Sequence, residues 1–344
     1  MILALDEAAV RLAVDAVANE ATAGPAEAGE RFARGVFTMI AEPGDAAAGL
    51  LLRALGPLRA LSHVVRRDDA RTVSRLVDDP EDAASLAHTL PAALERWRPR
   101  LSSKAAIDAF RHAAHLGASF LVPGDAGWPA GLDDLGDHAP AGLWVRGDAT
   151  RLVGLSHAVA LVGARAATGY GTAVAAELAS GAADRGLAVV SGAAYGIDGM
   201  AHRATLASAG LTVAILAGGI DKLYPSGHAE LLAGIIRDGV VVAEMPCGFS
   251  PTRWRFLLRN RLIAACSTAT VVVEAGARSG SLNTAGHAAE LGRALGAVPG
   301  PVTSPASAGC HRLIREYDAQ LVTCPDDMAE LAGLAPAEAV LPAV

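Results

Sequence analysis

Three short stretches of this 344-residue chain hold residue types that could grip a phosphate. The first is "AVALVGARAATGYG", Ala158 to Gly171. An apolar run ends in Gly163, and Gly169 and Gly171 follow where a helical pattern begins, which outlines a phosphate-cradling turn. Arg165 sits inside that turn, where a dinucleotide fold wants nothing bulky. A nucleotide cofactor site, a phosphate grip of another kind and a plain tight turn all remain open on these residues alone. The second is "RWRFLLRNR", with Arg253, Arg255, Arg259 and Arg261 interleaved by Trp254, Phe256 and Asn260. It reads either as a helix with solvated arginines and an apolar face, or as a phosphate track with a stacking aromatic; Asn260 between two arginines suggests a locked turn at the sheet's edge. The third is "RSGSLNT", in which Ser279, Gly280 and Ser281 precede an amphipathic helix. Free N–H groups, a helix dipole and hydroxyls would converge there, and the plainer alternative is a serine N-cap.

Elements of a particular kind must hold these turns. From residue 151, apolar runs alternate with helical segments: "AVALVG", "LAVVSG", "LTVAILAGG", "VVVAE", "ATVVVEA" and "GAVPG". Runs apolar on both faces belong to parallel strands covered on each side, and the alternation argues for a doubly wound α/β sheet, whose ligands lie beyond the carboxyl ends of the strands. The segments after these strands are rich in Gly, Ser, Thr and Arg. Residues 1–117 read as a helical region, with Gly56-Pro57 between two short apolar helices, as in a helix-hairpin-helix or SAM-like module or any helical hairpin. Residues 118–150 are punctuated by Pro and Gly, and "GLWVRG" reads as an edge strand. Residues 331–344 read as a short tail.

Other chemistry is weakly supported. The second strand ends "VVSGAAYG", without the acid that a dinucleotide ribose requires, and G-x-G-x-x-G and Walker A spacings are missing. Asp198 and His202 stand four apart and could form an acid–base or metal pair; a helix cap and a packed histidine are the plainer reading, and no metal site is expected. The four cysteines lack metal-type spacing.

The net charge of −7 argues weakly against a nucleic-acid binder, yet residues 151–330 hold 14 basic and 14 acidic side chains while residues 1–150 hold 15 and 21. The acidity therefore lies outside the region of the motifs. No apolar run approaches the ~20 residues of a membrane span, and no leader pattern is read, so a cytoplasmic protein is expected.

In their order, "VGARAATGYG", "VVSGAAYGIDGMAH", "YPSGH", "RNRLIA", "VVVEAGARSGSLNTA" and "PGPVTSPASAGCHRLI" resemble the DNA-processing protein A family, also called Smf, over about residues 118–330. The resemblance implies an extended Rossmann-like, mostly parallel sheet behind a small helical N-terminal region. It implies a homodimer that binds single-stranded DNA, protects incoming strands in natural transformation and helps load RecA, with no enzymatic activity and no cofactor. It places the DNA- or phosphate-binding residues at Gly163 and Arg165; at Ser191, Gly192 and Tyr195; at Arg259, Asn260 and Arg261; and at Ser279, Gly280, Ser281 and Thr284. Tyr195 stands where many relatives carry Arg or Lys. "FLLRNR" departs from their Phe-Pro before the RNR segment, and no C-terminal winged-helix module is read after residue 330. The competing expectation is a phosphoribohydrolase-like Rossmann enzyme acting on nucleoside monophosphates, with Glu274 at the fifth strand's end as its acid.

Overall fold

The structure is a computed structural model that describes residues 3, 5–19 and 22–334; residues 335–344 of the expected tail lie outside the described residues. Seven helices come first: α1 (Glu7–Asp15), α2 (Pro25–Ile40), α3 (Ala46–Leu55), α4 (Pro57–Arg66), α5 (Ala70–Ser74), α6 (Pro80–Trp97) and α7 (Ser103–His115). Local chemistry marks their starts: Asp6, Asp45, Asp69, Asp79 and Ser102 each accept a backbone N–H from the first turn that follows. Gly56, at φ +76°, ends α3, and Pro57 opens α4.

The strands are β1 (Ser119–Leu121), β2 (Leu143–Gly147), β3 (Ala158–Gly163), β4 (Ala188–Ser191), β5 (Thr212–Leu216), β6 (Val240–Ala243), β7 (Ala269–Glu274), β8 (Ala294–Ala297) and β9 (Gln320–Leu321). They form one sheet in the order β1-β2-β6-β5-β4-β3-β7-β8-β9. Strands β3 to β9 are mutually parallel, and β2 runs antiparallel to β6 and to β1. The intervening helices are α8 (Gly169–Asp184), α9 (Ile197–Ala207), α10 (Ala229–Asp238), α11 (Arg253–Ala265), α12 (Ser281–Glu290), α13 (Ala308–Glu316) and α14 (Pro325–Leu331). From β3 the chain builds outward one way through β4, β5 and β6, then returns to add β7 on β3's other side. This is the doubly wound, mostly parallel α/β fold behind a helical N-terminal region, and the point of reversal lies between β3 and β7.

Both faces of the central strands are covered, which explains their unbroken apolar sequence. In β3, Val159 and Leu161 pack with Leu178 and Ile197 of α8 and α9, whereas Ala160 and Val162 pack with Leu262 and Ile263 of α11.

The reading of "GLWVRG" as an edge strand is corrected: β2 is paired on both sides, and β1, from the unassigned "SFL", is the edge. Three residues carry too little periodicity to announce a strand; Phe120 is held there by Phe110 of α7 and Trp144 of β2, with ring centroids at 5.7 and 4.4 Å. Through this aromatic cluster and the Trp144 Nε1–H bond to Thr38 Oγ1 (3.2 Å), the N-terminal helices share one core with the β2–β6–β5 side of the sheet. No helix among the described residues is long and apolar enough to cross a membrane.

Candidate nucleic-acid interface

At the reversal point, the turns after β3 and β7 and the outer face of α11 enclose a cleft of about 410 Å3. It has an inner layer that is satisfied from within the protein and an outer layer that is not.

The inner layer centres on Asp198. Its carboxylate is buried in the first turn of α9 and accepts the backbone N–H of Gly192 at 3.2 Å. The nearby N–H groups of Ala194 and Gly163 also favour its charged form. These donors at the ends of β3 and β4 would meet a pyrophosphate in a dinucleotide fold. Here a side chain of the protein fills the nest. Burial raises the pKa of Asp198, while the Arg259 guanidinium and the three N–H groups oppose that rise.

Arg259 is equally internal. Its Nη1 donates to Gly192 O at 3.0 Å and to Ile215 O, closing the carboxyl ends of β4 and β5. Burial lowers its pKa to about 10, against the pull of Asp198. Gly192 leaves the room this guanidinium occupies: a Cβ there would stand 2.3 Å from Arg259 Nη2. Gly163 is needed for a similar reason: its Cβ would lie 2.5 Å from Ile197 Cγ1. Ser191 Oγ donates to Leu161 O at 2.6 Å, stitching β4 to β3.

Glu274 acts as a staple between the two turns. It accepts both the N–H and the hydroxyl of Thr168, at 2.8 and 2.7 Å, and its own carbonyl accepts the Ala164 N–H at 2.7 Å. The turn "GARAAT" is thereby held against the end of β7.

Asn260 lies within α11, not in a turn at the sheet's edge. Its Oδ1 accepts from Arg259 Nε at 3.3 Å, and its Nδ2 donates to Asn283 Oδ1 at 3.1 Å and to Gly280 O at 3.4 Å. This single side chain orients the Ser279–Ser281 turn at the start of α12. There the two hydroxyls are 2.8 Å apart and Gly280 faces open space. Ser281 and Thr284 line the cleft wall from α12.

Arg261 is brought to the opposite side of α11. Its guanidinium forms a two-pronged ion pair with Glu244 (2.8 and 2.8 Å), and its Nε donates to His138 O at 2.9 Å. The "RNR" triplet therefore splits, because successive residues on a helix face directions about 100° apart. Arg255 likewise turns to the N-terminal region and pairs with Glu42 at 2.9 and 3.0 Å.

The outer layer is Arg165, Phe256 and Arg278. Arg165 is exposed, and its guanidinium carbon lies 5.0 Å from the centroid of Phe256. Tyr224 flanks the same ring at 5.6 Å. Arg278 projects from the turn after β7 and lines the cleft. Arg253 and Trp254, the latter 63% exposed, are carried on the first turn of α11, as Phe256 is. None of the guanidinium groups of Arg165, Arg253 and Arg278 makes a hydrogen bond or ion pair within the described residues. Tyr195, 46% exposed, is beside rather than inside the cleft; its Oη accepts the Gly227 N–H at 3.3 Å and its ring meets His228 edge-on.

Arg278 is a cleft residue that reading by motif passed over. Its signal is a repeated tripeptide: Gly163-Ala164-Arg165 and Gly276-Ala277-Arg278 follow the two strands that flank the reversal point.

The Asp198–His202 pair is not an acid–base couple. His202 is fully buried behind the nest, with Nδ1 2.7 Å from Thr212 Oγ1. Thr212 gives its own proton to Val189 O, so the imidazole Nδ1–H is the donor and Nε2 is left without a partner. Burial lowers its pKa to about 3, with smaller contributions from His228 and Arg259. No cluster of three potential metal ligands occurs among the described residues.

Known proteins are similar to this chain in sequence and in fold. The family profile described as DNA recombination-mediator protein A matches residues 119–333. A DNA processing protein, DprA, of Mycobacterium tuberculosis is 44% identical over 307 residues, covering 86% of this chain and 74% of that protein. Protein Smf of Escherichia coli is 40% identical over 212 residues, 61% of this chain and 56% of that one. In three dimensions the chain is similar to DNA processing protein A from Streptococcus pneumoniae, with a TM-score of 0.68 at 27% identity over 89% of this chain and 98% of that one. It is also similar to DNA processing protein A from Helicobacter pylori, whose structure addresses single-stranded DNA binding, with a TM-score of 0.56 at 28% identity over 63% and 95%. With the profile matched from the first strand of the sheet to its last helix, the chain belongs to the DNA recombination-mediator protein A family.

Proposed function

We propose that this protein binds single-stranded DNA in the cleft between the turns after β3 and β7, without catalysing a reaction on it. The observation that carries the reading is the pairing of a free guanidinium with an aromatic face. Arg165 has no hydrogen-bond or ion-pair partner among the described residues and lies over Phe256, opposite the hydroxyl-bearing turn of Ser279 and Ser281. Phosphate favours the guanidinium fork and the N–H and hydroxyl donors, and a splayed base favours the ring. Such a surface reads no sequence and discriminates against a duplex, whose bases are already stacked. The relatives' association with DNA processing, and with single-stranded DNA in the Helicobacter protein, supports the same ligand class.

Of the residues assigned by resemblance, Arg165, Ser279, Gly280 and Ser281 are the direct ligands in this reading. Gly163, Ser191, Gly192, Arg259, Asn260 and Thr284 shape the cleft. Arg261 acts at a distance by tying α11 to Glu244 beyond β6 and to the His138 carbonyl. Tyr195 offers a base a further face at the edge. Delivery of the bound strand to RecA, in a homodimeric assembly in the cytoplasm, completes the proposal; its support is the family alone.

The rival reading, hydrolysis of nucleoside monophosphates by Glu274, is disfavoured by geometry, since that carboxylate is occupied by Thr168 at both oxygens. A salt-series titration with single-stranded and duplex oligonucleotides tests the proposal. Three free arginines at about −0.7 each give an expected slope near −2 in log K against log salt for the single strand. Equal or tighter duplex binding at matched salt would refute it.

A further inference from the structure

A second opening lies on the other flank of the first turn of α11. It is a groove of about 620 Å3 between α7, the end of α2 and the loop after β6. Its floor is apolar and aromatic: Met39, Cys247 and Phe249. Its rim is cationic: Arg100, His112 and Arg255. Arg255 is already stacked on Phe249, with 5.3 Å between guanidinium carbon and ring centroid, and Glu42 holds it there. Two carboxylates belong to the same surroundings. Glu42 is shared by Arg100 and Arg255, and Asp108 is engaged by Lys104, so three permanent cations meet two anions and the rim stays net positive before His112 is counted.

The groove and the cleft are neighbours. Phe256 and Arg259 of α11 line the cleft, and Arg255, one position away, lines the groove. The same first turn of α11 also presents Arg253, without an ion pair among the described residues, and Trp254, 63% exposed. A large indole left in water on the turn that carries both Arg255 and Phe256 is a stacking platform in search of a planar partner.

We infer that the groove receives the next nucleotides of the strand held in the cleft, with a base against Phe249 and phosphates toward Arg100 and His112. The strand passes from Phe256 over Trp254 and into the groove, so the N-terminal helical region contributes directly to the DNA path. This extension rests on the reading of the cleft as a single-strand site. It adds a length dependence that the cleft alone does not produce.

The test compares thymidine oligonucleotides of about 6 and about 20 nucleotides by fluorescence anisotropy, using the full chain. The variant is Arg100→Ala/His112→Ala, two exposed residues outside the cleft. The short oligonucleotide should bind as it does to the parent. The long one should weaken by roughly three- to thirtyfold and lose about one phosphate of salt slope. Phe249→Trp, which keeps a stacking face, should retain the long-strand affinity, and Trp254→Ala should lower it. Thermal melting of each variant separates binding loss from unfolding, and Trp254→Ala, at an exposed position, remains informative if the double variant melts early. Equal effects on both lengths, or no effect on either, overturn the extension and leave the cleft standing. A parent that binds neither oligonucleotide overturns the cleft reading and the extension together.

Discussion

The guanidinium of Arg165 lies over the ring of Phe256 at 5.0 Å, while Arg259, one helical turn further along α11, lies 6.0 Å from the same ring on its buried side. The two arginines share an aromatic neighbour and differ in everything else. Arg165 faces solvent with no hydrogen-bond or ion-pair partner among the described residues. Arg259 is sealed in, holding two strand ends by their carbonyls. Burial and partner count, rather than residue type, separate an arginine left open to solvent from a structural one here.

Arg165→Ala should therefore leave stability nearly unchanged, within about 0.5 kcal/mol as for most surface substitutions. Single-strand affinity should fall roughly ten- to a hundredfold, the equivalent of one charge-assisted contact of about 1.5–3 kcal/mol. Arg165→Lys should recover part of the loss, since an ammonium cannot reproduce the fork. Thermal melting and DNA titration on the same preparations check this; an early melt, or parental binding, would remove Arg165 from the site.

Arg259→Ala should behave in the opposite way. It strips Asp198 of its opposing charge and leaves two strand-end carbonyls without their donor. The cost is roughly 3–5 kcal/mol, as where other buried charges lose the group that offsets them, and a lowering of Tm on the order of 10 °C. A variant that melts with the parent but has lost DNA binding would place Arg259 among the ligands instead.

Glu274→Gln tests the staple and the rival enzyme together. An amide can offer Thr168 only one acceptor, so a loss of about 1–3 kcal/mol is expected, measured by urea unfolding. The parent should release no free base from nucleoside monophosphates; release that disappears in Glu274→Gln would revive the hydrolase reading.

His202 sets part of the acid limit of stability. Its folded pKa, about 3, is below its ordinary 6.5, so between these values the unfolded chain takes up a proton that the folded chain refuses. Stability from this group is full above pH 6.5 and is lost as pH falls toward 3, by up to about 1.4 kcal/mol per unit. His202→Gln should flatten the dependence between pH 5 and 6.5 in urea unfolding. Parallel parent and variant profiles would show that His202 is not the titrating group.

Periodicity and turn chemistry were enough to read the parallel core, the order of its strands along the chain and the switch of pattern near residue 151, because strands buried on both faces leave unbroken apolar runs. The glycine, serine and arginine content of the segments after β3 and β7 marked the edge of the sheet where the candidate cleft lies, because carboxyl-end turns and helix N-termini supply donors by geometry alone. What sequence could not decide was which side chains remain free. Asp198 and Glu274 are distant from the donors they occupy until the sheet forms, so the filled nest and the stapled turn are tertiary facts. The "RNR" triplet is three adjacent letters, yet a helix sends Arg259 inward, Asn260 to α12 and Arg261 to Glu244. Arg278 and Phe256 join Arg165 only because the chain reverses between β3 and β7 and brings two separate Gly-Ala-Arg turns to the same cleft. Residue type is local, but the partner that consumes or spares a charge is set by packing across the fold.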